Sequence, residues 1–309
     1  MNRFVVFDTN GYRNLVHGKS IIEIKEIIES IKLKEKEAGI EPWISCIVWI
    51  ELFAHLNDTE DPHFEDCLKA VYASFLHTMI SADCEEVRFM PDASDIIVNI
   101  LFNKNEINSK SKEQYHSMMK LALEIYNKPE KETALRLCNY FNSYKHISKS
   151  RKKEFLQNFI ELDIYNTFKA NYLKDKSEIT TTSNTKLKDE LFSQITINLL
   201  KLAYKEVNIE INTIDKSIIE NQIRLIKKYF SGVIYFIYDI IVKIIVNTNL
   251  NIEKKENWVW DYELMFLLSE SINNIMLVTN DKDMIDAAKS ALLGNKVMMV
   301  DYYKNILGL

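Results

Sequence analysis

Four acidic residues sit where carboxylates can do chemistry. Asp8 directly follows the apolar run Phe4-Val5-Val6-Phe7 and is followed by Thr9-Asn10-Gly11. Asp281 occupies a similar place in Val278-Thr279-Asn280-Asp281-Lys282-Asp283, after the apolar Ile275–Val278. Unbroken β-forming runs suit buried parallel strands. Ligands of open parallel sheets gather at the carboxyl ends of such strands, so an acid there can hold a metal ion. Asp, Thr and Asn are equally the residues that cap a helix N-terminus, and both readings stand for both turns. Glu51 is the lone carboxylate in Val48-Trp49-Ile50-Glu51-Leu52-Phe53-Ala54. Burying it unpaired is costly unless a metal or a cation relieves it; otherwise it faces solvent from an amphipathic helix. Asp261 opens the helical stretch from Trp258, where an acid also favours the helix dipole, and Glu263 competes with it for the same role.

The elements that must carry these residues divide the chain. Ser20–Ala38 repeats Ile and Leu at helical spacing and ends at Gly39, a plausible stop. Trp43–Val48 reads as a second strand running into the helix with Glu51. Strand, helix, strand in that order implies a parallel crossover. Near the other end, Trp258–Ser271 reads as helix, Ile275–Thr279 as strand, Met284–Leu292 as helix and Lys296–Val300 as a last strand. The expected organisation is α/β: one discontinuous core from residues 1–60 and 252–309, with 61–251 as a large all-helical insertion. Helices are expected within that insertion at Phe64–Met79, Ala93–Phe102, Lys112–Tyr126, Lys131–Tyr144, Arg151–Leu173, Leu187–Val207 and Lys216–Val246, with a polar loop over Asp175–Lys186.

Bulk properties narrow the function classes. Only 6 Gly and 4 Pro occur in 309 residues, which favours helices over long structureless segments. The net charge of −5 argues against a protein that coats nucleic acid through a broad basic surface. Cys46, Cys67, Cys84 and Cys138 form no zinc-like spacing and read as structural or incidental thiols. The apolar run Phe230–Val246 is short for a bilayer and is broken by Asp239 and Lys243, so it reads as a buried helix. Met1-Asn2-Arg3 runs straight into a strand, so no leader is expected. A cytoplasmic location with no membrane association follows as the expectation.

Asp8-Thr9-Asn10, a helix-borne Glu51, Asp261 opening a late helix and Thr279-Asn280-Asp281 together resemble the acidic set of PIN domains. The resemblance covers Met1–Asn57 and Trp258–Leu309 and not the long middle. It implies a three-layer α/β/α core with a central parallel sheet. It also implies a Mg²⁺- or Mn²⁺-dependent nuclease that hydrolyses phosphodiester bonds, with RNA favoured over DNA. Such hard ions prefer carboxylate oxygen and can activate water while neutralising phosphate charge. On that resemblance Asp8 and Asp281 are direct ligands, and Glu51 and Asp261 act through water. Asn10, Thr279, Asp283 and Glu263 are supporting candidates.

Basic candidates for nucleic-acid contact are Arg13, beside Tyr12, and Lys149, Arg151, Lys152 and Lys153 in the run from Lys145; a charge run is also often only a solvated face. Arg224, Lys227 and Lys228 form a lesser cluster. His17, the histidine nearest Asp8, reads as structural. Competing readings are a DNA-cutting or flap-type nuclease, an inactive PIN-like scaffold whose middle binds a partner, and a toxin or defence effector held off by an inhibitory protein.

Overall fold

Arg3–Phe7 forms β1, whose last three residues are fully buried. In the computed structural model, which describes residues 3–81, 84–103, 109–160, 185–247, 257–269 and 274–309, β1 lies inside a four-stranded sheet. Its neighbours are β2 (Ile40–Pro42) on one side and β7 (Ile275–Val278) on the other, with β8 (Val297–Met298) beyond β7. Every pairing is parallel: Phe4 lies opposite Glu41 and Ile275, and Leu277 opposite Val297. The fold class is α/β. Strands from the two ends of the chain thus share one sheet and point their carboxyl ends the same way.

Local sequence explains the flanking elements. Helix α1 (Thr9–Val16) follows β1 at once, capped by Asp8. Helix α2 (Ile21–Glu37) starts with a full capping box between Ser20 and Glu23. It ends before Gly39, whose φ of +64° is the left-handed conformation glycine adopts without penalty. The strand expected at Trp43–Val48 is corrected: only Ile44–Ser45 (β3) is extended, and α3 (Cys46–His55) begins at the next residue, with Ser45 at its N-cap position. Apolar residues throughout 46–50 reflect a helix buried on nearly all sides rather than a strand.

The middle of the chain is not all-helical. After α4 (Phe64–Thr78), Met79–Ser81 (β4) and Cys84–Val87 (β5) form an antiparallel pair, and Phe89–Met90 (β6) pairs in parallel with β3. Helices α5 (Ala93–Phe102), α6 (Ser109–Asn127), α7 (Lys131–Ile160), α8 (Thr185–Glu206), α9 (Lys216–Tyr229) and α10 (Ser231–Val246) follow. The break expected between Tyr144 and Arg151 is absent, since α7 runs straight through, whereas the helix expected over Lys216–Val246 divides at Phe230. The loop expected over Asp175–Lys186 lies, up to residue 184, outside the described residues, as does the part of the Arg151–Leu173 helix beyond 160. Buried Val233, Phe236, Ile240 and Ile244 bear out the buried reading of the Phe230–Val246 run. Among the described residues no helix is long and apolar enough to cross a membrane.

The returning segment supplies α11 (Trp258–Met265), a 3₁₀ turn at Phe266–Leu268, β7, α12 (Lys282–Ser290), β8 and α13 (Val300–Leu307). Lys296–Val300 was expected to be a longer strand. Only two residues pair, and Asn280 Oδ1 accepts the Val300 N–H as the chain turns into α13.

A buried polar network locks α1 in place. The Tyr12 hydroxyl meets His77 Nδ1 at 2.9 Å, and His77 Nε2 lies 2.9 Å from a Glu35 carboxylate oxygen. The Tyr303 hydroxyl donates to Glu35 at 2.7 Å. All four residues are at most 1% exposed, so α1, α2, α4 and α13 are joined by a chain of hydrogen bonds shielded from water.

Candidate active site at the sheet edge

Asp8 is placed by backbone geometry. Its N–H donates to the Val278 carbonyl at 3.0 Å, continuing the β1–β7 ladder by one residue. Its carboxylate accepts the Gly11 N–H at 2.5 Å through one oxygen and the Thr279 hydroxyl at 2.5 Å through the other. Gly11 is needed for space: a Cβ there would lie 2.9 Å from Asp8 Oδ1 and 3.1 Å from the Val278 carbonyl oxygen. Thr279 in turn accepts the Asp281 N–H at 2.9 Å, and Asp281 caps α12 by accepting the Met284 N–H at 3.0 Å. The capping reading therefore holds for both acids, and it leaves lone pairs on each carboxylate for a further partner.

Two hydrogen bonds should favour ionised Asp8, yet its pKa is pushed up to about 7. Burial is the main cause, and the charges of Glu51 and Asp281 add to it. Glu51, on the second turn of α3, is also raised by burial, against a hydrogen bond from Thr9 and the opposing charges of His55, Lys152 and Arg13. Asp261, in the first turn of α11, is raised well above the usual carboxylate range. Burial leads there, followed by Asp281, Glu51, Asp8 and Asp283, every one an acid. The fold thus gathers Asp8, Glu51, Asp261 and Asp281 from both ends of the chain into one region of surplus negative charge. Among the described residues no three His, Cys, Asp or Glu side chains stand close enough to cage a metal ion by themselves.

No family model, curated protein or solved structure matches the chain. The site is therefore read from its own geometry.

The supporting candidates separate. Thr279 bridges the two strand-end acids. Asp283 is engaged beside the site, accepting the Trp258 indole N–H at 3.2 Å and pairing with Lys243 at 2.6 Å. Asn10 is exposed, and its neighbour Thr9 makes the contact with Glu51 instead. Glu263 is not brought to the quartet. It pairs with Arg151 at 2.7 Å and lines a separate cavity with Asp92, Glu154 and Tyr262. Its pKa rises to about 7, mainly by burial and against the pull of Arg151.

The basic run divides as well. Arg151 is spent on Glu263, Lys149 and Lys153 are exposed, and Lys152 acts on Glu51. Arg13 bonds His63 rather than a carboxylate, Tyr12 belongs to the buried network, and His17 pairs with Asp66 at 2.8 Å. Thr9, Gly11, His55 and His63 were not singled out in the sequence. Adjacency to Asp8 was a usable signal for the first two. Nothing in the sequence ties the two histidines to the site.

Proposed function

We propose that the chain is a Mg²⁺- or Mn²⁺-dependent nuclease with a three-layer PIN-like core, acting on RNA in preference to DNA. The observation that supports it is the convergence of Asp8, Glu51, Asp281 and Asp283 on half-buried Asp261, in a region built jointly by β1, α3, α11 and the turn after β7. A fold does not concentrate like charges without a countercharge in view. The donor set is carboxylate oxygen without Cys or His, which suits a hard divalent ion. Mg²⁺ commonly keeps several waters and takes one or two carboxylates together with substrate phosphate, so a four-acid region need not form a closed cage. Asp8 and Asp281 would hold the ion, with Glu51 and Asp261 engaging it through water. When bound, it supplies an acidified water and neutralises phosphate charge.

The chain's own residues do the rest. Thr279 and the Gly11 N–H fix the Asp8 carboxylate, and Thr9 orients Glu51. Glu51 or Asp261, once ionised, can accept a proton from an attacking water, and its raised pKa makes it the stronger base. A cytoplasmic site of action and an inhibitory protein partner belong to the same proposal.

Labelled RNA and single-stranded DNA incubated with the protein, with Mn²⁺ or with chelator, test it. Metal-dependent cleavage lost in Asp8→Asn and in Asp281→Asn is the expected result. Cleavage that survives both substitutions removes the site assignment. An inactive scaffold is the second reading, since among the described residues no three side chains already cage an ion. Calorimetry that detects no Mn²⁺ binding at millimolar concentration would select it.

A further inference from the structure

The acidic region has a cationic neighbour built from separate elements. Arg13 of α1 donates from Nη2 to His63 Nδ1 at 2.6 Å. Among the described residues it makes no ion pair, and its buried Nε has no hydrogen-bond partner. A guanidinium whose bonded partner is an imidazole nitrogen retains its full positive charge for another ligand. Because His63 Nδ1 accepts, its proton sits on Nε2, which remains a donor on an exposed side chain. The His63 ring stands edge-on to His55, 5.6 Å between centroids. His55 lies one helical turn after Glu51 and is oriented by Asp61 at 2.8 Å. Lys152 arrives from α7, which packs along α3. The charges of His55, Lys152 and Arg13 all act on the Glu51 carboxylate.

We infer that Arg13, His55, His63 and Lys152 form the phosphate-receiving rim of the acidic site, gripping the sugar–phosphate backbone of a nucleic-acid strand next to Glu51. The inference rests on the nuclease reading. An anionic polymer approaching four carboxylates is repelled unless cations meet it first, and this group lies on the Glu51 side of the quartet. Arg13 offers a planar fork suited to phosphate oxygens, and Lys152 a point charge. The contacts are to backbone, so they position a strand without reading its bases. The exposed Lys149 and Lys153, which composition alone would rank beside Lys152, are not part of the rim.

The test uses the full chain carrying Asp8→Asn, so that binding is measured without cleavage. Binding of a fluorescent single-stranded oligoribonucleotide is followed by anisotropy across a salt series. Arg13→Ala and Lys152→Ala should each weaken binding about tenfold and flatten the log–log salt slope by about 0.7. Arg13→Lys should recover the slope, which a merely structural role for Arg13 would not produce. Lys149→Ala should leave both readings unchanged. Binding and slope unaltered by Arg13→Ala and Lys152→Ala, with metal-dependent cleavage by the unmodified chain, overturn the rim and leave the nuclease standing. Neither binding nor cleavage by the unmodified chain removes the nuclease reading, and the rim with it.

Discussion

Helix α1 separates two clusters of buried charge that are built on opposite principles. At its N-terminal end the pKa values of Asp8 and Asp261 are raised by burial first and then by the charges of nearby acids, Glu51 and Asp281 acting on both. One turn along, Tyr12 enters the Glu35–His77–Tyr303 network, where the single carboxylate is met by two donors. With Nε2 turned to Glu35 and Nδ1 to the Tyr12 hydroxyl, His77 meets both partners. Burial and the nearby Glu35 hold the Tyr12 phenol well above its usual range, so it stays a hydroxyl. Only the second is sealed from water along its whole length; Glu51, Asp261 and Asp281 are half-buried. A satisfied buried network stabilises and specifies a fold, whereas like charges held close together raise the energy of the folded state and are relieved by a cation that binds.

That contrast predicts opposite responses to substitution. His77→Leu strips Glu35 of its main partner and leaves a charge buried. It should cost about 3–5 kcal/mol in urea unfolding, and a loss below about 1 kcal/mol would mean the network is no brace. The acid quartet should instead show itself in pH dependence. Folded Asp8 holds its proton to about pH 7, against 3.8 for an ordinary Asp. Between those values the folded state binds more protons than the unfolded one, so stability falls as pH rises through the window and levels off above it. In chelator the fall should reach up to about 4 kcal/mol for Asp8. It should shrink in Asp8→Asn and be offset by millimolar Mn²⁺.

Gly11→Ala presses a methyl group on the Asp8 carboxylate and on backbone, at an expected cost of about 2 kcal/mol. A circular-dichroism melt of the variant measures it. Smallest and opposite in sign, Asp261→Asn removes one repelling charge at constant shape. It should stabilise the metal-free protein by about 1 kcal/mol at pH 8 while lowering cleavage. A destabilised Asp261→Asn would place a cation at that carboxylate and weaken the distinction between the clusters.

The acidic cluster was legible in the sequence and the Glu35 network was not. Asp8 and Asp281 stand directly after unbroken apolar runs, and Glu51 is the only acid in seven residues of apolar sequence. Isolation of a charge in hydrophobic surroundings is itself the signal. Glu35, by contrast, lies in Lys32–Glu37, where alternating charges read as a solvated helix face, yet it is fully buried. His77 sits in an ordinary amphipathic helix, and its partners come from α1, α2 and α13, so no local window contains the network. Short elements failed for a related reason. Cys84–Val87 is too polar to read as a strand, and Ile44–Ser45 is shorter than the apolar stretch around it. Whether Lys145–Lys153 was solvated or functional depended on which residues of α7 meet α3. Only the fold could divide Lys152 from Arg151.

The pairing of β1 with β7 sets a schedule for synthesis. Asp8 and the Thr279 hydroxyl that holds it are 271 residues apart. At ribosomal rates of about 5–20 residues per second, the first strand waits roughly 14–54 s for its neighbour. Until then its β7-facing edge has no β7 to pair with, and Asp8, Asp261 and Asp281 cannot assemble around Glu51. A growing chain therefore carries Asp8 and Glu51 without the site, and whatever activity the quartet has switches on only once β7 (Ile275–Val278) and the turn after it dock.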